Sequence, residues 1–349
     1  MPDVATLTGL VEHFSPSGSE RPAADWLVGR MQALHYSEAF VDEAGNAVGV
    51  MGAGPKQVVL LGHIDTVPGE IPVRVEDGNL YGRGSVDAKG PLACFVDAVA
   101  QGGLVDGWQL VVIGAVEEER NSEGARHIVS KYKPDFTIIG EPNRWDRISL
   151  GYKGSAWASL LIERAQAHTS SGEQTACEAA VELWLAVKSY ADSFNADKQR
   201  AFDKLLPTLR GLESGADGFE QWAKLNIGTR LPADVSPQDW YEKLAEIASG
   251  AAVEPQGYAV PAWVCEKNTP LVRALTASIR SVGGTPSFVY KTGSADLNIV
   301  APAWKCPAVV YGPGDSALDH TPAEHLSLDE YGKAVTVLAA ALQKLTLEH

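Results

Sequence analysis

Cysteine is scarce: Cys94, Cys177, Cys265 and Cys306 lie far apart among 349 residues and form no C-x-x-C pair. That spacing excludes a zinc knuckle and a dithiol redox motif, and suits buried thiols in a reducing compartment. No apolar run approaches the roughly 18 residues of a membrane span, and the N-terminus lacks the basic-then-apolar pattern of a secretion signal. A cytoplasmic location is expected. Positive charge is also short, with 29 Lys and Arg against 44 Asp and Glu and a net charge of −15. Nucleic acid and anionic membrane would be repelled, so neither is expected as a partner, whereas a small cationic substrate would be favoured. Internal repeats and low-complexity tracts are absent too.

What remains is ordinary globular composition, 45% hydrophobic and 21% charged, in a chain long enough for about two domains of roughly 100 to 200 residues each. Residues 1–151 alternate helical spacing ("LTGLVEHF", "ERPAADWLVGRMQAL") with short apolar runs ("NAVGVMG", "QVVLLGHID", "QLVVIGAVEE", "FTIIGEP"). This alternation predicts an α/β fold with a mostly parallel sheet, whose ligands gather at the carboxyl ends of the strands. Over residues 152–263 the texture changes to strand, long amphipathic helix, strand, and a helix opened by Ser236 and Pro237, which predicts an inserted α+β domain. Residues 264–349 return to the first pattern.

In "VVLLGHIDTV" the strand is expected to end at His63, with His63 and Asp65 on one side. A carboxylate there can accept the second N–H of the imidazole and leave the other nitrogen free for a metal. A simple His–Asp hydrogen bond would read the same way in isolation. Further acidic residues follow apolar runs, however: Asp87 after "YGRGSV", Glu117 to Glu119 after "LVVIGAV", and Glu141 after "FTIIG". Gathered at one sheet edge they would repel each other unless a cation neutralised them. His320 in "YGPGDSALDHTP" adds a second imidazole, and the set suits Zn²⁺, with Co²⁺ or Mn²⁺ as substitutes.

Taken in order, "GHIDTVP", "YGRGSVDAKGP", "AVEEERNSEGA", "IGEPN" and "DHTPAEH" resemble the co-catalytic zinc peptidases that include aminoacylases, carboxypeptidase G, succinyl-diaminopimelate desuccinylase and acetylornithine deacetylase. The resemblance spans nearly the whole chain and implies a catalytic domain interrupted by a lid that also dimerises. It makes His63 and Glu141 terminal ligands of different metals, Asp87 the bridging carboxylate, His320 a ligand of the second metal, and Asp65 the partner of His63. Counting back from Gly124 makes Glu118 the general base and Glu119 a ligand; a register one residue earlier, Glu117 and Glu118, stays open. The family's bridging Asp precedes a cis peptide bond, here Asp87–Ala88.

The same resemblance places His168 at the lid position that reaches a neighbouring subunit's site, and Arg230, Gly293 and Ser294 where a substrate carboxylate is held. "TGSAD" departs from the family's Gly-Thr-Ser-Asp order, which leaves the individual roles in that loop open. The short lid is similar to the branch that releases lysine or ornithine from the C-terminal Glu of an acidic amino-group carrier protein. A small-molecule deacylase of the acetylornithine or succinyl-diaminopimelate type is the alternative.

Overall fold

The structure, a computed structural model, describes residues 3–103 and 105–348. The chain divides into two compact units. One comprises 1–151, 265–290 and 295–349, and the other 152–264 with 291–294. The excursion 291–294 takes Gly293 and Ser294 into the second unit, although in sequence they lie beyond its main segment.

In the first unit the strands Trp108–Ala115, Lys56–His63, Phe136–Gly140 and Ala308–Val310 run parallel, in that order. Antiparallel neighbours flank them: Ala47–Met51 with Glu38–Val41 on one side, Arg147–Tyr152 on the other. The central runs are Val, Leu and Ile with almost no exposure, as buried parallel strands require. Helix Lys89–Gly102, buried along most of its length, packs on the centre of this sheet, and helix Leu328–Glu348 packs on it.

Two glycines set how closely helix Lys89–Gly102 approaches. A Cβ on Gly62 would stand 3.3 Å from Leu92, and one on Gly140 would stand 2.9 Å from Phe95. Their lack of a side chain brings the start of the helix, and the turn before it that carries Asp87, over the ends of strands Lys56–His63 and Phe136–Gly140.

The second unit is a four-stranded antiparallel sheet in the order Leu206–Ala216, Glu220–Leu231, Gly154–Ala165, Ala252–Val260. Helices Ala176–Phe194 and Pro237–Ala248 bury Leu183, Val187, Trp240 and Leu244 with Leu160, Leu225 and Ile227 of the sheet. Both helices begin with capping boxes, Thr175 with Glu178 and Ser236 with Asp239, which satisfy N–H groups that a helix start leaves orphaned. Within this unit Lys153 is fully buried, and its ammonium donates to the carbonyls of Ala201, Phe202 and Lys204. Burial lowers its pKa to about 8.

Candidate metal centre

Strand Lys56–His63 delivers His63 and strand Phe136–Gly140 delivers Glu141 one residue past its end. Gly62 pairs with Gly140 across these parallel neighbours, so His63 and Glu141 emerge side by side. The resemblance assigns them to different metals, but the structure brings their side chains into one cluster. With Asp87 they form one group whose ligand atoms lie within 4.8 Å of one another; Asp87, Glu119 and His320 form a second. Which strands are neighbours decides the grouping, and strand order cannot be read along one chain.

Asp87 stands in the turn between strand Asn79–Tyr81 and helix Lys89–Gly102, not at a strand end, and the peptide bond that follows it is cis. One carboxylate oxygen, Oδ1, lies 3.3 Å from Nε2 of His63, and the other, Oδ2, lies 3.0 Å from Nε2 of His320. His320 Nε2 is also 2.8 Å from Glu119 Oε1. Donor atoms around a tetrahedral ion with bonds of about 2.0 to 2.1 Å sit roughly 3.3 Å apart, close to these spacings. Two imidazoles and three carboxylates, one shared, fit a pair of divalent cations in donor type and in charge.

Nδ1 of His63 is engaged by the backbone carbonyl of Asp65 at 3.0 Å, with the Asp65 carboxylate at 3.4 Å. Either contact leaves Nε2 facing Asp87. The carboxylate of Asp65 has further work: it accepts the N–H groups of Glu118 at 3.0 Å and Glu119 at 3.1 Å, and the Ser17 hydroxyl at 2.7 Å. It thereby fixes the loop after strand Trp108–Ala115. Of the three glutamates on that loop, Glu119 joins Asp87 and His320, whereas Glu117 turns its carboxylate to Arg120 at 3.7 Å. Ser17, in "SPSGSE", carries no motif that would have flagged it.

The charges explain the titration. Burial, with the carboxylates of Glu141, Asp296 and Glu119, raises the Glu118 carboxyl well above its usual range against the opposing pull of His63. Glu141 is raised in the same way, by burial first. Burial also opposes the charged form of Asp87, yet its bonds to His320 and His63 hold it below the usual range. Hydrogen bonds to Asp87 and Glu119 lift His320 to about 10. Asp296, the last residue of "TGSAD", whose role the sequence leaves open, is almost fully buried and raised to about 7, chiefly by burial.

In the second unit Arg230 donates from Nη1 to the Ser294 hydroxyl at 2.8 Å. The space around the Cα of Gly293 is open. His168 is exposed, and its Nδ1 lies 2.8 Å from the hydroxyl of Ser170.

The sequence pattern of peptidase family M20/M25/M40 matches residues 59–344. A protein of Deinococcus radiodurans named LysW-lysine hydrolase is 44% identical over 339 residues, 95% of this chain and 93% of that protein. A protein of Thermococcus kodakarensis named putative LysW-lysine/LysW-ornithine hydrolase is 40% identical, covering 98% of this chain and 92% of its own length. Among solved structures, a tripeptidase from Staphylococcus aureus superposes with a TM-score of 0.80 at 19% identity, covering 99% of this chain and 98% of its own. A Bacillus subtilis protein described as a dinuclear metal-binding peptidase gives a TM-score of 0.70 at 14% identity, with 99% and 96% coverage.

Proposed function

The chain belongs to peptidase family M20/M25/M40, and from that premise we propose that it releases L-lysine, L-ornithine or both from the C-terminal Glu of a LysW-type carrier protein. It is a metal-dependent hydrolase of amide bonds. The observation that carries the reading is the shared carboxylate: Asp87 faces a histidine with each of its oxygens, and each histidine stands with a further carboxylate. The names of relatives at 37 to 44% identity over nearly the full chain support the carrier-borne substrate.

In the proposed assignment His63, Asp87 and Glu141 hold one cation and Asp87, Glu119 and His320 the other, with zinc expected and cobalt a functional substitute. The chemistry that bound divalent cations supply is polarisation of the amide carbonyl and acidification of the attacking water. Glu118 takes a proton from that water as its oxygen bonds to the carbonyl carbon, and returns it to the nitrogen as the C–N bond breaks. In the metal-free protein burial raises this carboxyl, and bound cations would draw it back to the range in which it accepts the proton and then returns it. Asp65 keeps His63 oriented and the Glu118 backbone in place. Arg230, with Ser294 and the N–H of Gly293, is assigned the substrate carboxylate, and the fork of donors beside an open glycine supports that role. His168 is assigned to a partner subunit's site.

A homodimer through the second unit completes the proposal. Val181 and Leu185, 51% and 57% exposed on helix Ala176–Phe194, support it. A cytoplasmic location is supported by four unpaired thiols; among the described residues no helix is long and apolar enough to cross a membrane. The deciding assay offers metal-loaded protein LysW-linked lysine, LysW-linked ornithine, acetylornithine and succinyl-diaminopimelate in parallel. Release of amino acid from a carrier adduct at a kcat/KM at least tenfold above both free acyl compounds is expected. Preference for a free acyl compound would replace this substrate by the small-molecule alternative.

A further inference from the structure

Glu324 lies four residues beyond His320 and is fully buried, as is most of Arg83, its ion-pair partner at 2.7 Å. A buried ion pair is a poor way to gain stability, since desolvation of both charges offsets their attraction and apolar residues of equal volume often do as well. This pair does something an apolar pair cannot. Oε1 of Glu324 accepts the backbone N–H groups of Val86 at 2.9 Å and Asp87 at 3.0 Å, while Oε2 takes Arg83 Nη1. Arg83 in turn donates to the carbonyl of Thr321 at 3.3 Å and to that of Gly69 at 3.0 Å.

The turn that carries Asp87 has no strand partner for those N–H groups, and a buried N–H without an acceptor is costly. An Asp just ahead of a helix would ordinarily turn its side chain onto the first N–H groups of that helix. Helix Lys89–Gly102 has Ala88 at its N-cap position and no side-chain cap, and Asp87 points to the two imidazoles instead. On the other loop His320 holds a φ of 59°, a left-handed conformation that non-glycine residues avoid. The Thr321 carbonyl held by Arg83 follows it directly.

We propose that Glu324 and Arg83 are positioning residues of the metal centre: one buried clamp fixes the Asp87 turn and the His320 loop together, so that the bridging carboxylate and the second imidazole keep their mutual geometry. This rests on the two-cation reading above. It assigns no contact with metal or substrate to either residue.

The test titrates chelator-treated full-length protein with Co²⁺ and follows visible absorption and binding, with far-UV circular dichroism as a check on folding. In Glu324→Gln the amide sets a donor against either Arg83 or the turn N–H groups. Co²⁺ affinity is expected to fall by about 10- to 100-fold, the usual cost of losing a group that orients ligands, with an altered absorption band. Arg83→Lys keeps the charge but loses the fork, and should move both readouts the same way. Asp97→Asn serves as the comparison. It breaks a half-buried network with Thr6 and Tyr331 elsewhere in the unit, so it should lower the melting temperature and leave Co²⁺ affinity within about twofold of the parent. A folded Glu324→Gln protein with parental affinity and spectrum would overturn the proposal, as would an equal loss of affinity in Asp97→Asn. Should Glu324→Gln not fold, Arg83→Lys decides by the same criterion. A parent protein that takes up no Co²⁺ would instead remove the two-cation reading, and that is seen before any variant is compared.

Discussion

In the proposed assignment, replacing Glu118 by Gln removes the proton carrier without removing a ligand. Turnover is expected to fall by about 10² to 10⁴ while metal content and KM stay near parental values, as read by steady-state kinetics beside atomic absorption. Glu119→Gln should lose metal, and Glu117→Gln should resemble the parent because its partner is Arg120; metal loss from Glu118→Gln instead would shift the register by one. A second expectation concerns pH. In chelated protein the raised carboxyls of Glu118 and Glu141 and the raised imidazole of His320 bind protons more tightly folded than unfolded. Their contribution is fully present below the unfolded values of 4.5 and 6.5 and is lost as pH rises towards the folded ones. The lowered Asp87 acts oppositely, but only towards pH 3.8 and below. The melting temperature of chelated protein should therefore fall between about pH 5 and pH 7, and metal loading should flatten that slope and release protons. A chelated protein that grows more stable over this range would contradict the assignment. The acidic and histidine positions were legible in sequence because several carboxylates, each commonplace alone, would repel one another if gathered without a cation. Glu324, quoted within "DHTPAEH", was not singled out, because a Glu near a loop end looks like any solvated charge until burial is known.

At the scale of elements, the long helices and central strands were readable from their periods, including the cap at Ser236, whereas the short helices Glu123–Ile128 and Leu297–Trp304 were not. The two edge strands of the second unit were not. Leu206–Ala216 carries Pro207, Gly211 and Gly215 with many exposed positions, and Ala252–Val260 contains Pro255 and Gly257. Edge strands tolerate proline and polar faces because one side of the ladder has no partner to satisfy, so their sequences read as loop. The Asp87 segment misled for a related reason: "YGRGSV" ends in an apolar residue like a strand but folds as a turn, held by a carboxylate from far along the chain. Ser236→Ala removes one half of a capping box and should destabilise by about 0.5 to 2 kcal/mol in denaturant titration, with the metal content of the protein unchanged. A loss below measurement would mean that packing of Trp240 and Leu244 alone holds that helix start.

For the molecule as a whole, the proposed dimer offers a direct check. Val181→Glu with Leu185→Glu puts charges on an apolar strip of helix Ala176–Phe194, and sedimentation equilibrium is expected to show a monomer where the parent sediments as a dimer. A parent that is monomeric at all concentrations would end the proposal for that face. The division of the chain also constrains protein engineering. The backbone passes between the two units at four points, near residues 151, 264, 290 and 294, so the second unit cannot be lifted out as one continuous cassette. A graft of 152–264 into a related scaffold would carry Arg230 and leave Ser294 behind. Recombination between family members should therefore yield working chimaeras when crossovers keep both segments from the same parent, and mismatched pairs of Arg230 and its loop when they do not.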